Sequence, residues 1–214
     1  MKKDIKAIIF DLDGVITETA EYHFRSWKKL AEKEGIPFTR KDNEQLRGLT
    51  RGRSLDILLD GREISSDKRQ EMMKLKNDYY LELIKDIDHD DLFPGVKELL
   101  GKLIEDKYIL AIASASRNAK PVINNLNIGD IFSTISDGNS VERSKPAPDL
   151  FLYTAEKLNV APEDCIVIED SEAGVEGARK AGMTVIGIGP ESRVGKADYI
   201  YKSIAELDID KVIK

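Results

Sequence analysis

Short apolar runs at residues 5–10, 108–113, 165–168 and 184–188 alternate with longer amphipathic stretches at 96–104, 119–126, 149–158 and 172–181. A short apolar run suits a strand buried on both faces, and a 3.6-residue stripe between such runs suits a covering helix. The alternation predicts βαβ units, hence an α/β fold with a Rossmann-like, mostly parallel sheet covered by helices on both sides. Weaker strand candidates lie at 133–136 and 199–201.

The rhythm fails once. Between the first strand and the second lie helical patterns only, at 21–34, around 54–59 and at 67–85. In the first of these Phe24, Trp27, Leu30 and Ala31 share one stripe, and Gly35 ends it. A βα connection needs only a handful of residues. The segment is therefore expected to be an α-helical cap domain inserted after the first strand. The expected division is a discontinuous core of residues 1–18 and 88–214 with a cap of 19–87, its second edge falling in the acidic stretch 87–91 before the Pro94-Gly95 turn.

Composition narrows the function. The chain has 214 residues, 33 Lys+Arg against 39 Asp+Glu for a net charge of −6, and 41% hydrophobic residues, enough for a sizeable core. The acidic balance argues against nucleic acid, which is bound by clustered Lys and Arg. No stretch approaches the roughly 20 apolar residues of a membrane helix. The basic start Met1-Lys2-Lys3 leads into an apolar run that Asp11 interrupts, too short for the about 7–15 apolar residues of a secretory signal. The single cysteine, Cys165, allows no intrachain bridge and reads as a small buried hydrophobe in a reducing cytoplasm.

The chemistry gathers at strand ends. The first strand runs into Asp11-Leu12-Asp13-Gly14: carboxylates two apart lean to one side of a strand, and one can attack phosphorus while its neighbour moves protons. By itself such a tract is usually a turn. The second strand ends in Ser114-Ala115-Ser116-Arg117-Asn118 before a helix, a place for an anion or for a plain cap. The strand at 165–168 ends in Glu169-Asp170-Ser171, carboxylates that suit Mg²⁺. Lys145 stands in Ser144-Lys145-Pro146-Ala147-Pro148-Asp149, where Asp149 is expected to cap the following helix. Ligands of open α/β sheets bind at the carboxyl ends of the strands. If Asp11, Asp13, Glu169 and Asp170 converge there, a divalent cation and Lys145 relieve their repulsion and prepare the site for phosphate.

Phe10-Asp11-Leu12-Asp13-Gly14-Val15-Ile16-Thr17, then Ser114-Ala115-Ser116, Lys145-Pro146 and Glu169-Asp170-Ser171 resemble the four ordered motifs of the haloacid dehalogenase superfamily. The tract Thr19-Ala20-Glu21-Tyr22-His23-Phe24-Arg25-Ser26-Trp27-Lys28 resembles its β-phosphoglucomutase branch, and the likeness covers essentially the whole chain. The resemblance implies a mobile cap, Mg²⁺, and conversion of β-glucose 1-phosphate to glucose 6-phosphate through glucose 1,6-bisphosphate. The expected partner is a small-molecule sugar phosphate, with the protein a monomer in the cytoplasm. It implies Asp11 as nucleophile and Asp13 as general acid and base. Mg²⁺ would sit on Asp11, the Asp13 carbonyl, Glu169 and Asp170, and Ser114 and Lys145 would hold the transferring phosphate. Gly48, Leu49, Thr50, Arg51 and Ser54 would form a second phosphate clamp in the cap. Ser116, Arg117 and Asn118 would meet the distal phosphate from the core, with Ala115 just before them also binding substrate. His23, Trp27 and Lys76 would close over the sugar and assist Asp13. Two residues depart from the pattern: Glu18 stands where Asp is usual, and Arg117 where the branch carries Lys.

Without the resemblance these cap residues read blandly: His23 as an ordinary helix histidine, Trp27 as cap core, Arg51 as part of a solvated tract with Arg47 and Arg53, and Lys76 as solvent-facing. Gly187-Ile188-Gly189-Pro190 lacks the third glycine of a dinucleotide site, and Asp88-His89-Asp90-Asp91 reads as a solvated linker. Two other functions stay open: a Mg²⁺-dependent sugar-phosphate phosphatase of the same superfamily, and a non-catalytic phosphosugar binder, which would have no need of Asp11.

Overall fold

The computed structural model describes residues 4–213; the Met1-Lys2-Lys3 start lies outside them. Among the described residues the elements run β1 (Ala7–Phe10), α1 (Ala20–Lys33), α2 (Arg40–Glu44), α3 (Arg51–Leu59), α4 (Ser66–Leu83) and α5 (Val96–Glu105). They continue with β2 (Ile109–Ala113), α6 (Ala119–Asn125), β3 (Thr134–Ser136), α7 (Asp149–Leu158) and β4 (Cys165–Glu169). The last are α8 (Glu172–Lys180), β5 (Thr184–Ile188), α9 (Glu191–Val194), β6 (Tyr199–Tyr201) and α10 (Asp210–Ile213).

The strands form one sheet in the order β3-β2-β1-β4-β5-β6, with every pairing parallel. Alternation sorts its side chains into two cores. Ile8, Phe10, Ile166 and Ile168 pack on one face, and Ala7, Ile9, Val167 and Ala113 on the other. The register sets Phe10 against both Ile112 and Ile168, so β1, β2 and β4 end level with one another. The strand order reverses at β1, and the crevice beyond its carboxyl end is where such sheets hold ligands.

Helices α1 to α4 are inserted between β1 and β2. They have a hydrophobic cluster of their own, in which Trp27, Leu30 and Ala31 of α1 meet Leu55, Leu58, Leu59 and Met72. The connectors on either side of the insert meet: Phe93 N–H donates to the Ile16 carbonyl at 3.0 Å and the Thr17 hydroxyl to the Asp91 carbonyl at 2.6 Å. Glu18, just beyond, is exposed. His89 Nδ1 lies 3.1 Å from the Leu126 carbonyl, and Cys165 is buried in β4. No helix of the described residues is long and apolar enough to cross a membrane.

One expectation about local structure gives way, and one element was not anticipated. Asp149 does not cap α7: Pro148 occupies that place, and the Asp149 carboxylate accepts from Arg143 Nε at 2.9 Å. The reason is positional, since Asp149 is already the first residue of the helix rather than the one before it. The short helix α2, absent from the periodicity, is made by a capping box in which Thr39 and Asp42 satisfy each other's backbone N–H groups.

Candidate active site

A cleft separates the carboxyl edge of the sheet from the insert. Its core wall carries Asp11, Asp13, Asp170 and the run Ala115, Ser116, Arg117 and Asn118. Its other wall carries His23, Trp27, Gly48, Leu49, Arg51, Ser54 and Lys76. Ser114, Lys145 and Glu169 lie buried beneath the core wall. Thr50 stands apart from the lining residues: its hydroxyl accepts the Arg53 N–H and caps α3.

β1 ends at Phe10, and Asp11 still follows the ladder, its N–H donating to the Ile168 carbonyl at 2.9 Å. Lys145 Nζ then lies 2.5 Å from both Asp11 Oδ1 and Glu169 Oε1, with all three side chains nearly or wholly buried. Burial opposes the lysine's charge, but the two carboxylates outweigh it and push its amine above the usual range. Asp11 is shifted well upward, by burial first and then by Glu169, Asp13 and Asp170, against the pull of Lys145. Asp170 is pushed up to about 7 by burial and by Glu169. The site thus holds more negative charge than its own cations balance.

That imbalance tests a metal. Oxygens of Asp11, Glu169 and Asp170 lie within 4.8 Å of one another, an all-carboxylate donor set of the hard kind that Mg²⁺ takes. Glu169 Oε2 is also fixed by the Ser171 N–H and hydroxyl, both at 2.9 Å. Gly14, at φ +95°, makes the approach possible, because a Cβ there would sit 2.3 Å from Asp170 Oδ2. Gly48 does the same for the insert, where a Cβ would meet the Ser171 hydroxyl at 2.4 Å.

Asp13 is treated differently from Asp11. Burial raises it, but His23 and Thr19 outweigh burial and hold it below the usual carboxylate range. Thr19 begins α1, yet its hydroxyl leaves the helix uncapped and donates to Asp13 Oδ1 instead. His23 Nε2 lies 3.5 Å from the same oxygen, and the Ser114 hydroxyl 3.3 Å from the other. Lys76 Nζ is 2.8 Å from His23 Nδ1, and donation there leaves the imidazole proton on Nε2, facing Asp13. Burial and the field of Lys76 lower His23, against the pull of Asp13. Lys76 is itself buried, over the rings of Trp27 at 5.1 Å and Tyr80 at 4.8 Å. Trp27 both packs in the insert's cluster and lines the cleft.

A model of the haloacid dehalogenase-like hydrolases matches residues 5–182. The chain belongs to that family. Within the family it is 42% identical over 210 residues to the beta-phosphoglucomutase of Bacillus subtilis, covering 96% of this chain and 93% of the relative. The crystal structure of beta-phosphoglucomutase from Clostridium difficile matches with a TM-score of 0.94 at 40% identity, covering 97% of this chain and 95% of that one. A phosphorylated carbohydrates phosphatase of Thermotoga maritima is 31% identical over 199 residues, 90% of this chain and 89% of the relative.

Three polar residues of this family member were not singled out from sequence. Arg47 reaches Asp170 at 2.6 Å, Arg193 of α9 approaches the same carboxylate at 3.7 Å, and Asn77 accepts from Arg51 at 2.6 Å. Only Arg47 carried any signal, as part of the charged tract. Its partner lies 123 positions away, which no local pattern can show.

Proposed function

We propose that the protein is a β-phosphoglucomutase, interconverting β-D-glucose 1-phosphate and D-glucose 6-phosphate through an aspartyl-phosphate enzyme and β-glucose 1,6-bisphosphate. One observation carries the reading. The cleft that holds the Asp11–Asp13 pair also presents a guanidinium from each wall, Arg51 and Arg117, close enough that Arg117 lowers the pKa of Arg51. A site with a nucleophile and a separate cationic clamp suits a ligand with two phosphates.

In this reading the Asp11 carboxylate attacks phosphorus, the bond to the sugar oxygen breaks, and Asp13 delivers a proton to that oxygen. In the reverse sense Asp13 removes the proton of a sugar hydroxyl, whose oxygen takes the phosphoryl group from Asp11. His23 and Thr19 keep Asp13 turned toward the reacting oxygen, and Lys76 fixes the His23 tautomer. Lys145 and Ser114 hold the transferring group from below. Asp11, the Asp13 carbonyl, Glu169 and Asp170 would hold Mg²⁺, which supplies charge neutralisation at the phosphoryl oxygens. The insert, read as a cap of residues 19–87, excludes water so that a sugar hydroxyl is the acceptor. Both walls of the cleft come from one chain, which supports a monomer, working in the cytoplasm.

The Thermotoga relative supports a second reading, a sugar-phosphate phosphatase in which water is the acceptor. ³¹P NMR with Mg²⁺ and β-glucose 1-phosphate separates the two. The mutase accumulates glucose 6-phosphate after a lag that trace glucose 1,6-bisphosphate abolishes. Accumulation of inorganic phosphate without isomer would overturn it.

A further inference from the structure

Asn77 follows Lys76 on α4 and is half-buried. Its side-chain oxygen accepts two hydrogen bonds from opposite walls of the cleft, from Arg51 Nη2 at 2.6 Å and from Asn118 Nδ2 at 2.8 Å. A carboxamide oxygen has two lone pairs, and both are used here. One donor, Arg51, belongs to the clamp just described, and the other, Asn118, directly follows its second member, Arg117. Asn118 stands at the start of α6 and makes no side-chain cap bond to that helix. Arg51, facing Arg117, gains a neutral acceptor without an added charge.

We propose that Asn77 is a positioning residue of the distal phosphate clamp. Its oxygen stands in for one phosphate oxygen and keeps Arg51 and Asn118 aimed at a common point until the anion arrives. The proposal rests on the mutase reading, which requires that second phosphate. A pre-aimed arginine surrenders less rotamer freedom when the ligand binds. A carboxamide suits the task better than a carboxylate would. Phosphate can displace a neutral acceptor, whereas an Asp would pair with Arg51 and repel the ligand.

The test is a mutant cycle on the full chain with Asn77→Ala, Arg51→Ala and the double variant. Each is assayed for β-glucose 1-phosphate isomerisation with added glucose 1,6-bisphosphate and for Mg²⁺-dependent cleavage of acetyl phosphate. Loss of a hydrogen bond to a charged donor predicts a rise in mutase KM of roughly tenfold in Asn77→Ala with kcat little changed. In the Arg51→Ala background the same substitution should add little, because the residue it positions is gone. Asn77→Asp keeps an acceptor for both donors and so preserves the fold, yet its KM should also rise. Unchanged KM in both Asn77 variants, or effects that add in full to those of Arg51→Ala, would overturn the proposal while leaving the mutase reading intact. Equal losses of both activities in Arg51→Ala would instead remove the distal clamp itself.

Discussion

Arg47 spans the cleft to Asp170, its Nη1 2.6 Å from the carboxylate Oδ2. The Asp170 side chain is only 4% exposed, so this bond gives a buried carboxylate a partner and also ties the insert to the core. Glu18 adds to the negative field around Arg47, as a carboxylate at that position would in either form. Arg47→Ala should destabilise the metal-free protein by about 1–3 kcal/mol, the cost of stripping a partner from a largely buried charge. Saturating Mg²⁺ should shrink that loss, since a cation beside Asp170 replaces the missing charge. Denaturant titrations with and without Mg²⁺ measure the difference, and an identical loss in both would place the contribution of Arg47 elsewhere.

Asp11→Asn keeps the size of the side chain and removes the attacking anion. Lys145 retains Glu169 as a partner, so the fold should persist with a similar melting temperature. Isomerisation should fall by roughly 10⁴-fold or more, the usual scale for loss of a nucleophile. Most of the activity surviving in a well-folded variant would end the assignment of Asp11.

The carboxylate cluster predicts a metal response that can be read without turnover. A cation bound by Asp11, Glu169 and Asp170 stabilises the folded state by mass action and relieves their repulsion. Chelator-treated protein should be inactive and should melt at a higher temperature once Mg²⁺ is returned. Ca²⁺, larger and looser in its geometry, should raise the melting temperature but restore little activity. Full activity after exhaustive chelation would remove the metal from the mechanism.

The core was legible because its strands are short apolar runs and its site residues sit where those runs end. The shared level of Asp11 and Glu169, with Ser114 one residue beyond it, follows from parallel register, which the alternation of strands and helices already implies. The insert was legible as helices from stripes such as Phe24, Trp27 and Leu30. Part of what escaped was set by contacts between elements distant in the chain. Lys76 lies on a helix rich in lysine and yet is buried, because Trp27 and Tyr80 cover it. Arg47 and Asn77 look like ordinary surface residues until the insert is folded against the sheet. Helix α2 has no apolar stripe, and only the Thr39–Asp42 spacing could have announced it.

Lys76 gives the last prediction, a dependence of stability on pH. Burial holds its amine well below the ordinary value of 10.5, and the nearby Arg51 lowers it further, against a weaker pull from Asp13. Between its depressed value and 10.5 the folded chain binds fewer protons at this position than the unfolded chain does. Stability therefore rises with pH across that window, and below it the full cost of forcing charge on a buried amine is present. Lys76→Met keeps much of the length and apolar contact but cannot titrate. The variant should be more stable than the parent at neutral pH, and its advantage should fade as pH climbs toward 10.5. It should also isomerise poorly, because His23 loses the partner at Nδ1 that leaves its proton facing Asp13. Paired denaturation curves of parent and variant at several pH values supply the measurement. An advantage that stays constant with pH would mean that Lys76 has an ordinary amine, and that its burial matters only for packing.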